Sequence, residues 1–312
     1  MPQGSILGPL LFNIFINDMF LFIDHCSLYN YADDNSMSVS SMNVSHVLNL
    51  LQADCKNTVQ WFALNGMQAN PKKFQFMLLS SRNIDVDDAK LYVGDTLLTP
   101  ERCVKVLGVT IDNRLSFTNH VSILCQKAAK QIHALARISK YLNEKSRIIV
   151  YNSFVKSNFD FCPLVWHFCG KVNNDKMEKI QERGLRIIHQ DYEATYADLL
   201  RVTNVPSLLV RRLRLLLFET FKCLTKANSE CLHDMFMKKE INYFLRKNVI
   251  LDQPKRTTTT YGLRSVSYLG SKLWNEHPFA FTDLSNVDDL TFRSTLNVID
   301  ENYASKSDAH YL

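Results

Sequence analysis

The sequence predicts an α+β protein in which an acidic segment of mixed helices and strands precedes a basic, mostly helical block. Three observations carry this. Short β-branched runs alternate with helical spacings up to about residue 112, whereas from Ser116 the apolar residues step by three or four. Lys and Arg number 8 against 11 Asp and Glu over residues 1–115, 25 against 13 over 116–270, and 3 against 7 over 271–312. Gly 9 and Pro 8 in 312 residues leave few helix breakers and no flexible linker.

The elements follow in order. Residues 9–23 read as a helix, with Pro9 suited to a first turn and Leu10, Ile14 and Leu21 near helical spacing, after a tight Pro2-Gln3-Gly4-Ser5 loop. Leu28–Ala32 and Ser36–Ser40 read as short strands joined by an acidic turn, Asp33-Asp34-Asn35. Residues 45–64 form a second helix, with Val47, Leu51, Val59 and Phe62 on one side and Asn65-Gly66 as its stop. Strands are expected at Phe74–Ser80, in a hairpin at Lys90–Leu98 around Gly94-Asp95, and at Cys103–Ile111. Over 116–142, Phe117, Val121, Leu124, Ala128, Ile132, Leu135, Ile138 and Leu142 mark an apolar stripe opposite Lys127, Lys130, Arg137 and Lys140. Further helices are expected at 144–157, 174–189 and 206–226, which divides the chain into residues 1–112, 113–253 and a mixed extension, 254–312.

Composition and motifs exclude several classes. The chain is too apolar to be disordered, and its eight cysteines have no paired spacing, so a reducing, intracellular setting is expected rather than a secreted disulfide scaffold. The most apolar stretch, Ile6–Ile23, is broken by Asn13, Asn17 and Asp18, so no membrane partner is expected. No G-x-S-x-G, P-loop, G-x-G-x-x-G or H-E-x-x-H signature occurs. Cys162, His167 and Cys169, even with Cys231 and His233, lack the spacing of a zinc site and are read as structural. Asp33 and Asp34 remain: adjacent carboxylates at a hairpin tip repel one another unless solvent or a cation compensates, and a divalent cation suits them. Taken alone, such a pair is more often a solvated turn, and the basic face of the 116–142 helix is more often a solvated face.

The neighbouring motifs change that balance. Pro2-Gln3-Gly4-Ser5 and a helix, then Tyr31-Ala32-Asp33-Asp34, resemble motifs B and C of reverse transcriptases. Trp61-Phe62, Asn65-Gly66-Met67, Asn70-Pro71-Lys72-Lys73 and Phe76-Met77 resemble motif D of jockey-type non-LTR (LINE-like) retrotransposon polymerases, and Val106-Leu107-Gly108-Val109 their motif E. Tyr151-Asn152-Ser153, Pro163-Leu164-Val165-Trp166 and Ile180-Gln181 are similar to the family's thumb region, and Tyr261-Gly262-Leu263-Arg264 with Leu273-Trp274-Asn275 to its C-terminal segment. The resemblance implies the C-terminal half of a polymerase palm, an antiparallel sheet with two helices, followed by a helical thumb-like block. Asn35 and Phe74 stand where the family usually has Thr.

Further implications attach to single residues. Asp33 and Asp34 would be the catalytic, metal-holding carboxylates for two Mg²⁺ ions, with Tyr31 beside the primer terminus. Gln3, Gly4 and Ser5 would line the template and nucleotide pocket, which Lys73 would join near the departing pyrophosphate. Leu107 and Gly108 would form the primer grip, and Lys127, Lys130, Arg137 and Lys140 would meet nucleic-acid backbone. The expected partners are an RNA template, a DNA primer and deoxynucleoside triphosphates. The family's motif A aspartate lies upstream of motif B, and the sequence starts one residue before Pro2, so a missing N-terminal polymerase segment and a severely impaired isolated chain are expected. The alternative is a non-catalytic nucleic-acid-binding remnant. An unpaired strand edge and an exposed apolar face on the 9–23 helix are expected as well.

Overall fold

A computed structural model describes residues 4–80, 89–239, 249–255, 258, 262–276, 284 and 287–303, in two units, Met1–Arg114 and Leu115–Leu312. Gln3 and Tyr261 lie outside the described residues.

The first unit opens with α1 (Gly8–Ile16), which Pro9 starts, and runs on as a 3-10 turn through Asn17–Phe22. Strands β1 (Ser27–Tyr31) and β2 (Asp34–Ser38) pair antiparallel, Tyr31 opposite Asp34 and Asn30 opposite Asn35. The turn is therefore Ala32-Asp33, not the expected Asp33-Asp34-Asn35, and Asp34 begins the returning strand. Helix α2 (Val44–Leu64) is capped by Asn43, whose side-chain oxygen accepts from the N–H groups of Ser45 (2.8 Å) and His46 (3.3 Å). Its most buried residues are Asp54, Cys55, Thr58 and Trp61, so the packed face includes a carboxylate that apolar spacing does not mark.

Two more hairpins follow. In β3 (Leu91–Val93) and β4 (Thr96–Leu98) the turn is Gly94-Asp95, as the sequence predicts. Cys103–Ile111, expected as one strand, is instead a hairpin of β5 (Cys103–Val106) and β6 (Val109–Asp112), because Leu107 and Gly108 both take positive φ and reverse the chain. Phe74–Ser80 is not a strand: Phe76 is buried, but its carbonyl meets the Glu101 N–H (2.7 Å) rather than a ladder partner. Among the described residues the three hairpins remain separate two-stranded sheets, not the single antiparallel sheet the resemblance implies. Both edges of β1–β2 are open among those residues, and on and beside α1 Ile6 (97% exposed), Leu10, Ile14 and Leu21 face outward.

Two apolar clusters hold this unit together. Trp61, Ile16 and Met19 pack with Phe12, Leu28 and Phe62, and the indole N–H donates to Asp18 (2.9 Å). Cys55, Phe76, Leu91 and Val93 pack with Met37, Leu48 and Leu51 in a second cluster along α2. The hairpin β1–β2 contributes to both, through Leu28 and Met37.

The second unit is helical. Helix α3 (Thr118–Ile138) buries Val121, Ala128, Ile132 and Leu135 as its spacing predicts, although Ile138 is exposed. The expected 144–157 helix is α4 (Glu144–Val150), a π-helical turn (Tyr151–Lys156) and α5 (Ser157–Asp160). Helices α6 (Lys171–His189), α7 (Tyr196–Thr203) and α8 (Leu208–Leu224) follow, then α9 (Val266–Glu276) and α10 (Asp289–Thr295). Leu213, Leu217, Phe218 and Phe221 of α8 share one core with Leu269, Leu273, Trp274, Phe292 and Ile299. Among the described residues no helix is long and apolar enough to cross a membrane.

Candidate nucleotidyl-transfer site and nucleic-acid surface

The hairpin that carries Asp33 and Asp34 is held from below by one buried carboxylate. Asp54, in the middle of α2, accepts backbone N–H groups from Cys26 (2.7 Å), His25 (2.9 Å) and Asp24 (3.2 Å), the three residues leading into β1. Burial alone would raise its pKa, but these donors and the Cys26 thiol outweigh it and hold the carboxyl below its ordinary value. The reciprocal effect, with burial as its largest cause, pushes the Cys26 thiol up to about 12. Gln52 locks β3 onto the same helix, donating to the Tyr92 carbonyl and accepting from its N–H at 2.7 Å.

Alternation along the strands then sorts the hairpin's side chains. Leu28, Asn30, Asn35 and Met37 form the more buried face, while Tyr29, Tyr31, Asp34 and Ser36 are exposed on the other. Both polar atoms of the Asn30 amide and the carbonyl oxygen of Asn35 are buried without a hydrogen-bond partner among the described residues. Ala32 holds the turn at φ 53°, a region that costs an L-residue about 1–2 kcal/mol. Asp33 and Asp34 are exposed, and neither carboxylate has a hydrogen bond or ion pair among the described residues. They are two hard oxygen donors on a short hairpin, a set that suits Mg²⁺, which takes one or two carboxylates and completes its shell with water and substrate phosphates. No group of three or more His, Cys, Asp or Glu side chains gathers to hold a metal among the described residues.

The other expected site residues fall on separate elements. Gly4 has φ +85° with nothing within 4 Å of where a Cβ would stand, and the Ser5 carbonyl accepts from Gly8 N–H (3.2 Å) at the start of α1. Lys73 is exposed at the end of the 3-10 turn Pro71–Lys73, and no ion pair ties it to Asp33 or Asp34. Leu107 and Gly108 are exposed at the β5–β6 tip.

In the second unit, Lys127, Lys130, Arg137 and Lys140 are exposed. The first three have no ion pair among the described residues, and the Lys140 ammonium lies 4.8 Å from the Tyr141 ring centroid. Helix α6 adds exposed Lys176, Lys179 and Arg183, and Arg183 reaches the His133 ring of α3 at 3.3 Å. Sequence periodicity finds the α3 charges but not this second row, whose carrier α6 mixes acids with its bases.

Comparison with known proteins shows what the chain is similar to. The reverse transcriptase (RNA-dependent DNA polymerase) family matches residues 1–111, which contain all three hairpins and α2 except the final strand residue. Over 197 residues the chain is 25% identical to the probable RNA-directed DNA polymerase from transposon BS of Drosophila melanogaster, covering 60% of this chain and 22% of that protein. It is 23% identical to the RNA-directed DNA polymerase from mobile element jockey of the same organism, again over 60% of this chain and 21% of the relative. It is also 24% identical to the retrovirus-related Pol polyprotein from type-1 retrotransposable element R1 2 of Nasonia vitripennis, over 53% of this chain and 43% of that protein. The chain thus spans about a fifth of the length of the first two relatives. No solved structure matches it. Residues 1–111 therefore match the reverse transcriptase (RNA-dependent DNA polymerase) family, and the chain is similar to the RNA-directed DNA polymerases of jockey and other non-LTR retrotransposons.

Proposed function

We propose that this chain is the part of a non-LTR retrotransposon reverse transcriptase that carries motifs B to E and a thumb-like block, and that it serves RNA-directed DNA synthesis. The observation that carries this reading is the β1–β2 tip, where Asp33 and Asp34 stand side by side, exposed and without a side-chain partner among the described residues, inside the segment that matches the family. Asp33 and Asp34 hold Mg²⁺, Tyr31 positions the primer end, and Gly4 and Ser5 border the template and nucleotide. Gln3, outside the described residues, belongs to the same pocket on this reading. Lys73 offsets charge on the departing pyrophosphate, and Leu107-Gly108 steadies the primer. When bound, two Mg²⁺ ions would activate the primer hydroxyl and stabilise the leaving pyrophosphate. Lys127, Lys130, Arg137 and Lys140 grip template and primer phosphates.

On this reading the 312-residue chain transfers nucleotides poorly by itself. The resemblance calls for a further motif A aspartate, and among the described residues only Asp33 and Asp34 meet at the β1–β2 tip. That same observation favours the second reading, a non-catalytic nucleic-acid binder.

Metal titration and primer extension test the proposal together. Mn²⁺ binding should weaken at least about tenfold in Asp33→Ala and Asp34→Ala, and any extension of a DNA primer on an RNA template should vanish in both. Unchanged metal affinity or unchanged extension in those variants overturns the motif C assignment. Metal binding without extension selects the binder. Charge reversal at Lys127, Lys130 and Arg137 should weaken template–primer binding and flatten its salt dependence, with about one counterion lost from the slope per phosphate contact removed. Binding that ignores salt removes the phosphate-gripping role.

A further inference from the structure

Tyr29 shares the exposed face of the β1–β2 hairpin with Tyr31 and Asp34. It is 61% exposed and Tyr31 is 69% exposed. Neither ring has a hydrogen bond or aromatic contact among the described residues. Across the hairpin Tyr29 faces Ser36, and Tyr31 faces Asp34. The face is thus a row of two aromatic rings leading to the carboxylates, bordered by a small hydroxyl side chain that leaves the first ring uncovered. Two large, unpartnered aromatic side chains on a rigid strand are a stacking platform for bases or sugars, which present π faces and apolar edges whatever their sequence.

Resting on the reverse-transcriptase reading, we infer that Tyr29 is a second primer-positioning residue, contacting the primer strand upstream of the nucleotide that Tyr31 meets. The spacing sets the distance. Same-face residues on a strand are separated by about 6.7 Å, and a stacked nucleic-acid strand advances about 3.4 Å per nucleotide. Tyr29 therefore meets the primer two nucleotides further from its 3′ end than Tyr31 does. Its role is orientation and grip, separate from that of the phosphate-binding lysines.

The test uses the full chain and DNA primers annealed to RNA, each primer carrying one 5-iododeoxyuridine at successive positions from the 3′ end. After irradiation, peptide mapping should place adducts on Tyr29 and Tyr31, with the Tyr29 adduct arising two positions further from the 3′ end. Tyr29→Ala should weaken primer–template binding about 5- to 100-fold, Tyr29→Phe should bind nearly as the parent does, and the salt slope should stay unchanged in both. Primer–template binding with no Tyr29 adduct, or an adduct at the wrong offset, overturns the inference while leaving the polymerase reading in place. No binding of primer–template by the parent chain overturns both. The crosslinking arm uses the unaltered protein, so a Tyr29→Ala chain that fails to fold still leaves the inference decided.

Discussion

Asp54 shows how a single side chain sets the position of a hairpin tip 20 residues away. Its two oxygens satisfy three backbone donors on the segment that enters β1, and it is fully buried while doing so. Replacing it with Asn keeps the size but removes the charge and turns an N–H₂ group toward an N–H donor. We expect Asp54→Asn to destabilise the first unit by about 2–4 kcal/mol, since hydrogen bonds to a charged acceptor are lost and buried donors are left unmet. Urea unfolding followed by Trp61 fluorescence reads this, and an unchanged midpoint would remove Asp54 from the scaffold. The pH dependence has a definite sign. The folded pKa lies below the ordinary value, so the contribution is fully present above about pH 4 and is lost as pH falls through the folded pKa. Acid should therefore destabilise the parent more than Asp54→Asn below pH 4. The place of Asp33 and Asp34 at an exposed hairpin tip was legible in the sequence because an adjacent acidic pair between two short β-type runs marks a turn. Asp54 was not, because its partners are backbone groups 28 to 30 residues earlier, which no side-chain pattern encodes.

Elements were legible where one period runs unbroken. In α3, spacing alone picks out Val121, Ala128, Ile132 and Leu135 as core and leaves the lysines outside. Legibility failed where the backbone changes form within an otherwise regular run. Leu107 supplies no turn signal, since a bulky residue at positive φ is uncommon, yet it and Gly108 split the expected strand into a hairpin. The π-helical turn Tyr151–Lys156 is another such change, and it depends on a neighbour. Tyr151 is 2% exposed, and a Cβ at Gly184 of α6 would collide with its ring. The glycine is thus the space that the ring occupies. Gly184→Ala gains up to about 1 kcal/mol of helix propensity but forces ring or helix to move, an overpacking cost of about 1–3 kcal/mol that should prevail because Tyr151 is enclosed. We expect a net loss of stability, largely recovered when Tyr151→Leu is combined with it. A double-mutant cycle measures this, and additive effects of the two changes would sink the packing argument.

At the scale of the whole molecule the chain is two units, and the second depends on contributions far apart in sequence. The sequence predicts the 206–226 helix but leaves the tail mixed, because a tail whose apolar residues meet α8 from several short elements has no period of its own. The structure supplies those contacts. Phe292 stacks on Phe221 with centroids 4.1 Å apart and planes 9° from parallel, and Trp274 stacks on Phe292 at 5.9 Å. Polar contacts fasten the same segment: Glu301 accepts the Ser207 N–H at the start of α8 (2.7 Å), and Arg214 donates to the Ile299 carbonyl (2.9 Å). A chain ending at residue 253 would expose Leu213, Leu217, Phe218 and Phe221 to water, and fully burying each such side chain is worth about 1.5–3 kcal/mol. That loss is comparable with the whole stability of a domain. Hydrogen exchange at the α8 amides should therefore speed up by at least about 100-fold in the shortened chain, together with loss of a cooperative melt. The first unit should keep its exchange rates, because it has its own two cores around Trp61 and Cys55. Equal α8 protection in the two chains would mean that residues 254–312 rest on a core that stands without them.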